Sequence, residues 1–363
     1  MERLHGHPWR GFSGVRAEAH CYNTGPMKRL ALQLISLVAL GCGSPEVADS
    51  GPEPSDAGVL VDAGSPVDAG PPLPDPPATL SETGLFASGV TGPYADGVQS
   101  YDVRYRLWTD GAEKRRHLLL PPGTAIDTSD PDNWAFPEGT RLFKEFLVDG
   151  VPVETRLLWK TGPSVSDWVY VAYRYREDGS DAYVVPDGAS DARGTMHDVP
   201  STSDCRNCHR GAGDFVLGVG AIQLDRASYD SWTASGLLPA GTAWQEPPGD
   251  ETQRQALGYL HGNCGHCHSD THPLAMQRGL RLWLPVDVTD PYLAPAWVTS
   301  VNAEASHEIG GARTIVVAGD PSASQLYLRM GLRDGLGMPP VGTEVVHEDA
   351  RALIAAWITG DAP

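Results

Sequence analysis

Two short segments of this chain carry residue types at a spacing that can hold a metalloporphyrin. Cys205–His209 and Cys264–His268 both follow the pattern C-x-x-C-H, which is the attachment signature of c-type haem. In that chemistry the two thiols add to the two vinyl groups of the porphyrin, and the histidine binds the iron. Because residues at i, i+3 and i+4 share one face of a helix, one short helical turn can supply all three bonds.

The spacing of the cysteines argues against two other uses of paired thiols. Zinc ribbons pair C-x-x-C units about 15–20 residues apart, and the two segments here are much farther apart. A thioredoxin-type motif follows a strand of a βαβ unit, and no such pattern precedes either segment. A zinc knuckle or a redox pair remains the alternative to two covalently bound haem c groups. The predicted attachment residues are Cys205, Cys208, Cys264 and Cys267, and the predicted iron ligands are His209 and His268.

An apolar run near the start of the chain predicts export. Met27-Lys28-Arg29 precedes the apolar residues 30–40, and a glycine and Cys42 follow. This order is typical of a signal peptide, and the run is too short to span a bilayer. The cysteine looks like that of a bacterial lipoprotein signal, where it is lipidated and becomes the N-terminus; an ordinary signal peptide that contains a cysteine is the alternative. We expect residues 1–41 to be a mis-called start plus the signal peptide, with Met27 as the initiator.

This interpretation accounts for all six cysteines. Cys21 lies in the segment that we expect to be removed, Cys42 is the lipid anchor, and the other four are haem thiols. None is left for a disulfide, although an oxidising compartment would permit one. We therefore expect an exported protein at the periplasmic or outer-membrane face, bound to the membrane by its lipid anchor.

Length, charge and composition limit the remaining possibilities. A chain of 363 residues fits about two domains. Its formal net charge of −19 argues against nucleic-acid binding, which needs clustered Lys and Arg. Residues 42–80 repeat Asp-Ala-Gly among many prolines, a composition that cannot bury a core. We expect a disordered linker that holds the folded part away from a lipid surface.

Alternating apolar residues predict a β-rich domain over residues 81–195. Such alternation occurs at Val103, Tyr105 and Leu107, and again within residues 153–159 and 169–175. Asp149-Gly150 lies between two alternating runs, which is a hairpin signal. We expect an antiparallel sheet or a small sandwich.

The pattern becomes helical after this domain, so the predicted fold class is α+β. Residues 196–246 form a first haem segment, and residues 247–363 form a mainly α region that contains the second motif. Asp250 and Gln253 predict a capping box at the start of a helix that leads into this motif. The apolar positions of that helix are Ala256, Leu257 and Leu260.

Two further helices are predicted near the C-terminus. Asp320-Pro321 combines a cap with a proline at the first helical position, and predicts a helix through Met330. The last helix is expected over residues 347–359, with Gly360 as its stop. The face of this helix expected to be apolar comprises Leu353, Ala356 and Trp357.

Residues 247–363 resemble a class I cytochrome c. In that family a helix leads into C-x-x-C-H, a methionine on a later loop is the sixth iron ligand, and a C-terminal helix crosses the first. The matching features here are the helix before Cys264, the run Gly337-Met338-Pro339-Pro340 and the closing helix. The resemblance implies that Met338 is the sixth ligand of the second haem, on a loop that the prolines rigidify. Met330 is the rival, but it falls in a helical pattern that is typical of a core residue.

A broader resemblance covers residues 85–363. The segments 107–116, 136–140 and 154–156 are similar to those of exported bacterial dihaem proteins of unassigned function, which have a β-rich front and two C-x-x-C-H motifs. This resemblance implies no substrate. The sixth ligand of the first haem is less defined: His197 is the first candidate, Met196 and His261 are rivals, and a five-coordinate iron is a further alternative.

Two function classes follow from these features. The leading one is electron transfer in the cell envelope by a dihaem c-type cytochrome lipoprotein, which would exchange electrons with a redox protein partner and would itself catalyse no bond chemistry. The alternative is a dihaem peroxidase-like enzyme with one open-coordinate haem. That enzyme also needs polar groups over the open iron to move a proton, and no distal Glu or Gln pattern stands out in the sequence.

Overall fold

Six antiparallel strands dominate the first half of the computed structural model, which describes residues 73–272 and 279–360. Each strand pairs with the next in sequence, so the sheet is a meander. The predicted signal peptide, Cys42 and residues 42–72 of the predicted linker lie outside the described residues. The strands are β1 (Gln99–Tyr101), β2 (Glu113–Leu119), β3 (Arg141–Val148), β4 (Val151–Lys160), β5 (Trp168–Tyr175) and β6 (Ala182–Val184).

The predicted hairpin is confirmed, whereas one predicted strand is wrong. Asp149 and Gly150 connect β3 to β4 with φ angles of 50° and 76°, the positive values that a type I′ turn requires. By contrast, the alternating residues at 103, 105 and 107 form no strand, and only Val103 makes an isolated bridge, to Leu224. Val103 is buried, and Tyr105 and Leu107 are half-buried by other parts of the fold, since Tyr105 packs against the helical core and Leu107 lines a cavity there.

Helices and short turns form most of the second half, and the fold is therefore α+β. A wider, π-helical turn at His261–Gly265 extends one of the helices, and a small hairpin of β7 (Glu304–Ile309) and β8 (Ala312–Thr314) follows. No helix within residues 73–272 and 279–360 has the length and apolar composition needed to cross a bilayer. The helices are α1 (Thr202–His209), α2 (Arg226–Ala234), α3 (Glu251–Leu260), α4 (Pro295–Val298), α5 (Gln325–Met330) and α6 (Glu348–Thr359).

The predicted capping of α3 is confirmed. The Gln253 N–H donates to Asp250 Oδ1 and the Asp250 N–H donates to Gln253 Oε1, each over 2.9 Å. These two bonds satisfy backbone donors at the start of α3 that would otherwise lack partners. The three predicted apolar positions of α3 are all buried, and they pack in one core cluster with α6.

The two C-terminal helices depart from their predicted form. Asp320 caps only the short 3₁₀ turn Pro321–Ala323, and Ser324 then leaves the helical conformation because its hydroxyl bonds to the backbone of Val317. A separate helix, α5, begins at Gln325. In α6, Ala356 was predicted to lie on the apolar face, but it is exposed. The face that packs against α3 is rotated about the helix axis relative to the predicted one. The buried residues of α6 are Ala350, Ile354, Trp357 and Ile358.

The two faces of the six-stranded sheet are covered by different parts of the chain. Phe143, Leu157 and Tyr173 on one face pack against residues 80–90. The opposite face carries Leu142 and Tyr170, which belong to the same core cluster as Cys205 of the first C-x-x-C-H motif. We call this second side the motif face; it positions the first candidate site.

Candidate functional site

The first motif lies on α1, and the helix brings its three ligating side chains to one side. Ser201 caps α1: its Oγ accepts from the Asp204 N–H over 3.2 Å, and its own N–H donates to Asp204 Oδ2 over 3.1 Å. Cys205 is buried, and Cys208 and His209 are half-buried. The predicted spacing i, i+3 and i+4 is therefore helical in the structure, as haem attachment requires.

His209 is held in one orientation by groups that follow α1 and by the sheet. Its Nδ1 lies 2.8 Å from the carbonyl oxygen of Phe215, to which it donates, and the ring of Tyr170 lies 5.1 Å from the imidazole. Burial, followed by the charge of Lys144, lowers the pKa of His209 to about 3. The imidazole is thus neutral with its lone pair on Nε2, which is the form that binds a metal.

A buried ion pair fixes the loop that supplies the Phe215 carbonyl. Lys160 of β4 lies 2.7 and 2.6 Å from the two carboxylate oxygens of Asp214, and Asp214 Oδ2 also accepts from the Phe136 N–H over 2.8 Å. Tyr170 donates its hydroxyl to the Phe215 carbonyl over 3.1 Å. The motif face therefore sets the position of His209 through residues distant in sequence.

The second motif extends α3 through the π-helical turn. The N–H groups of Cys267 and His268 both donate to the Cys264 carbonyl, over 3.1 and 2.9 Å, so the turn keeps the three residues close together. The side chain of Asn263 accepts from the Trp108 N–H over 2.8 Å. This bond ties the irregular segment after β1 to the motif.

A large cavity lies beside the second motif. It encloses about 1300 Å³ of space, counting its opening to solvent. Many of its lining side chains are apolar, including Leu280, Leu282, Ile315 and Leu326. The residues of the motif on its wall are Cys264, His266, Cys267 and His268, and the loop residues on its wall are Met338, Pro339 and Pro340.

Both candidate methionines line this cavity, in different settings. Met338 is half-buried, and its N–H donates to the Arg329 carbonyl over 2.9 Å. Met330, at the end of α5, is 7% exposed and packs in the core cluster with Leu326. Met338 therefore sits on a loop that is anchored by its backbone, whereas the Met330 side chain belongs to the packed interior.

The three candidates for a further ligand of the first site occupy distinct environments. His197 is buried, and its Nε2 lies 2.7 Å from Glu154 Oε2 on β4. Met196 is 68% exposed. His261 lies in the π-helical turn of the second motif, where its Nδ1 accepts from the Leu284 N–H over 3.0 Å. Of these three, only His197 lies against the motif face, and its ring nitrogen is engaged by a carboxylate.

The two motifs pack directly against each other, which the sequence analysis did not predict. The thiols of Cys208 and Cys267 lie close enough to interact, and this interaction lowers the pKa of Cys208 and raises that of Cys267. Gly211, two residues after the first motif, approaches the backbone of His266 so closely that a Cβ there would lie 1.6 Å from the His266 carbonyl oxygen. The Thr271 hydroxyl donates to the Gly211 carbonyl over 2.9 Å.

Local sequence likewise does not predict two arrangements of side chains around the first motif. These are the Lys160–Asp214 pair and the row of basic residues Arg116, Lys144 and Arg156, which the strand register brings together on the motif face. Local sequence carries no signal for either, because each joins residues from separate elements. Within residues 73–272 and 279–360, no three His, Cys, Asp or Glu side chains converge as a site for a lone metal ion.

Comparisons with known proteins give no relative for this chain. It matches no protein-family model, no curated protein and no solved structure.

Proposed function

We propose that this chain is a dihaem c-type cytochrome that transfers electrons in the cell envelope. The observation that carries the proposal is that two C-x-x-C-H turns, each with two thiols and an imidazole close together, contact each other through Cys208 and Cys267. A haem bound at each turn would supply a one-electron redox centre, whose potential depends on axial ligands, hydrogen bonding and burial. Two such centres in contact suit passage of electrons through one chain.

The residues around the second motif fit a haem. Cys264, Cys267 and His268 supply the donor set on one wall of a cavity with many apolar residues, and the loop with Met338 borders the same cavity. The apolar walls would exclude water from the iron, and a neutral thioether ligand raises the potential relative to other ligand sets. We propose His268 and Met338 as the axial pair, in keeping with the resemblance to class I cytochromes c.

The residues around the first motif also fit a haem. Cys205 and Cys208 supply the thiols, and the bond from His209 Nδ1 to Phe215 leaves Nε2 for the iron. His197 remains the proposed sixth ligand, with one condition: its Nε2 must leave Glu154 to reach the iron. Where this exchange does not take place, the first iron stays five-coordinate.

One observation favours the peroxidase-like alternative. Glu154, which bonds to both His197 and Arg156, is a buried carboxylate on the motif face, and a distal acid–base group is what such an enzyme needs. Peroxide-dependent oxidation of an electron donor, together with a high-spin ferric signal from one haem, would support the enzyme. Two low-spin haems without turnover would support the electron carrier.

Haem attachment is the most direct test of the proposal. The chain would be produced with a c-type maturation system and treated with acid–acetone, which removes haem that is not covalently bound. Mass spectrometry should then show two haem additions, and one in the double variant Cys205→Ala/Cys208→Ala. A wild-type mass with no addition would refute the cytochrome proposal, and a single addition would refute the first site.

The proposed location follows from residues outside the described part of the chain. Signal cleavage before Cys42 and lipidation of its thiol would leave the folded part on a Pro-, Ala- and Gly-rich linker at a membrane surface. A redox protein partner in the same compartment would deliver or accept the electrons.

A further inference from the structure

Three basic side chains form a row across the motif face of the sheet. Arg116 on β2 is directly opposite Lys144 on β3, and Lys144 is directly opposite Arg156 on β4. Side chains opposite each other in an antiparallel sheet have Cβ atoms about 4.5–5.5 Å apart, and like charges at such positions are destabilising. A row of three cations therefore calls for compensating anions.

The carboxylates within the fold compensate only part of this charge. Arg156 forms a two-pronged pair with Glu154, over 2.6 and 2.9 Å, and Arg116 bonds to Asp102 over 3.0 Å. Lys144 is half-buried, and its ammonium group has no hydrogen-bond or ion-pair partner within residues 73–272 and 279–360.

A fourth basic residue on the same face, Lys114, is also without a carboxylate partner. It donates only to the backbone carbonyls of Leu107 and Ala112. Four basic residues thus face two carboxylates, and burial together with the neighbouring cations lowers the pKa of Lys114 and of Lys144 to about 7, so both ammonium groups need a nearby anion to stay fully charged. The His197 ring is hydrogen-bonded to Glu154 and supplies no further anion.

The first C-x-x-C-H motif lies against the same face. Leu142, two residues before Lys144 on β3 and therefore on the same side, shares a core cluster with Cys205, and the ring of Tyr170 in that cluster lies 5.1 Å from the ring of His209, tilted by 53°. Arg156 lies close enough to both thiols of the motif for their charges to interact. The uncompensated charge is thus next to the proposed attachment site.

We propose that Arg116, Lys144 and Arg156 form the seat for the two propionate carboxylates of the first haem. This inference rests on the proposed function, because it requires a haem on Cys205 and Cys208. A haem carries two propionates, a charge equal to that of the two basic residues on this face, Lys144 and Lys114, that have no carboxylate partner. Guanidinium groups suit bidentate contact with carboxylates, and Lys144, the one member without a partner, has its donors available.

The seat would act on the redox behaviour of the first haem. A positive charge close to the macrocycle stabilises the reduced, less positive iron, so its removal must lower the midpoint potential. The test uses the full-length holoprotein with both haems attached. Spectroelectrochemical titration would follow the two midpoint potentials, and the potential that responds to Met338→Ala would be assigned to the second haem.

Lys144→Met is the decisive variant, and three others serve as controls. We expect Lys144→Met to lower the potential of the first haem and leave the second unchanged, while Lys144→Arg keeps the wild-type value. Arg115→Met removes a charge from the opposite, solvent-facing side of β2 and should leave both potentials unchanged. Lys144→Gln is the substitute where the Met variant does not fold.

The outcomes separate this inference from the proposed function. If wild-type protein carries two haems and neither Lys144→Met nor Lys144→Gln alters the first potential, the seat is refuted and the cytochrome stands. If Lys144→Arg and Lys144→Met each change the spin state of the first haem, Lys144 itself binds the iron, and the seat is again refuted. If mass spectrometry finds no haem on the first motif, the proposed function of that site fails.

Discussion

The side chains of Cys208 and Cys267 interact, so the two C-x-x-C-H motifs meet at their second cysteines. The contact is reinforced by the backbone of Gly211, which lies against the His266 carbonyl. Since each of these sulfurs would become a thioether on a porphyrin edge, two attached haems would be neighbours. This relationship makes the two proposed sites one unit.

Neighbouring haems should be electronically coupled. We expect the circular dichroism of the holoprotein in the Soret region to show a band pair of opposite signs, because two close transition dipoles mix. The double variant Cys205→Ala/Cys208→Ala lacks the first haem and should give a band of one sign. A band of one sign in the wild type, at full haem content, would show that the motifs are separated in the holoprotein.

Gly211→Ala tests the packing between the motifs. A Cβ at this position would lie 1.6 Å from the His266 carbonyl oxygen, so the two backbones must move apart, at a cost of about 1–3 kcal/mol in the free energy of unfolding. Denaturant titration measures the cost, and the Soret band pair should weaken. Gly220→Ala is the matched control, because nothing lies within 4 Å of its added Cβ; equal behaviour of the two variants would contradict the contact.

Met338→Ala should identify the sixth ligand of the second haem. A thioether is a soft, neutral ligand that favours ferrous iron, so its loss should abolish the weak near-infrared sulfur-to-iron band of the ferric protein and lower the potential of that haem. Met330→Ala should spare the band and cost about 2–5 kcal/mol of stability, since Met330 is buried. Loss of the band in the Met330 variant alone would reverse the assignment.

The Lys160–Asp214 pair should be essential for the first site. Lys160→Met leaves the buried Asp214 carboxylate unpaired, which costs about 3–5 kcal/mol of stability when one partner of a buried pair is removed. Lys160→Met/Asp214→Leu removes both charges and should recover much of this loss in thermal unfolding. A single variant as stable as the wild type would mean that the pair does not hold the Phe215 loop.

Cys42→Ala tests the proposed lipid anchor. A thiol is the acceptor of the lipid, so its removal should release the protein from membranes during fractionation of expressing cells. Cys21→Ala, upstream of the proposed initiator Met27, is the control and should leave the distribution unchanged. An unchanged membrane fraction for Cys42→Ala would rule out lipidation at this residue.

Local sequence determined the features that depend on neighbouring residues. The capping box of α3 and the Asp149-Gly150 hairpin were predictable because turn and cap chemistry acts over two to four residues. The C-x-x-C-H spacing predicted the shared helix face of the first motif for the same reason. The alternation of apolar residues at 103–107 led to the prediction of a strand that does not form, because apolar side chains do not reveal which part of the fold will bury them.

Tertiary structure alone decided how the candidate sites are assembled. The Cys208–Cys267 contact and the row of Arg116, Lys144 and Arg156 join residues whose separation in sequence leaves no local pattern. The bond between His197 and Glu154 likewise follows from the packing of a loop on β4. The sequence determined which ligand types are present through local spacing, whereas strand register and long-range packing determined which of them meet.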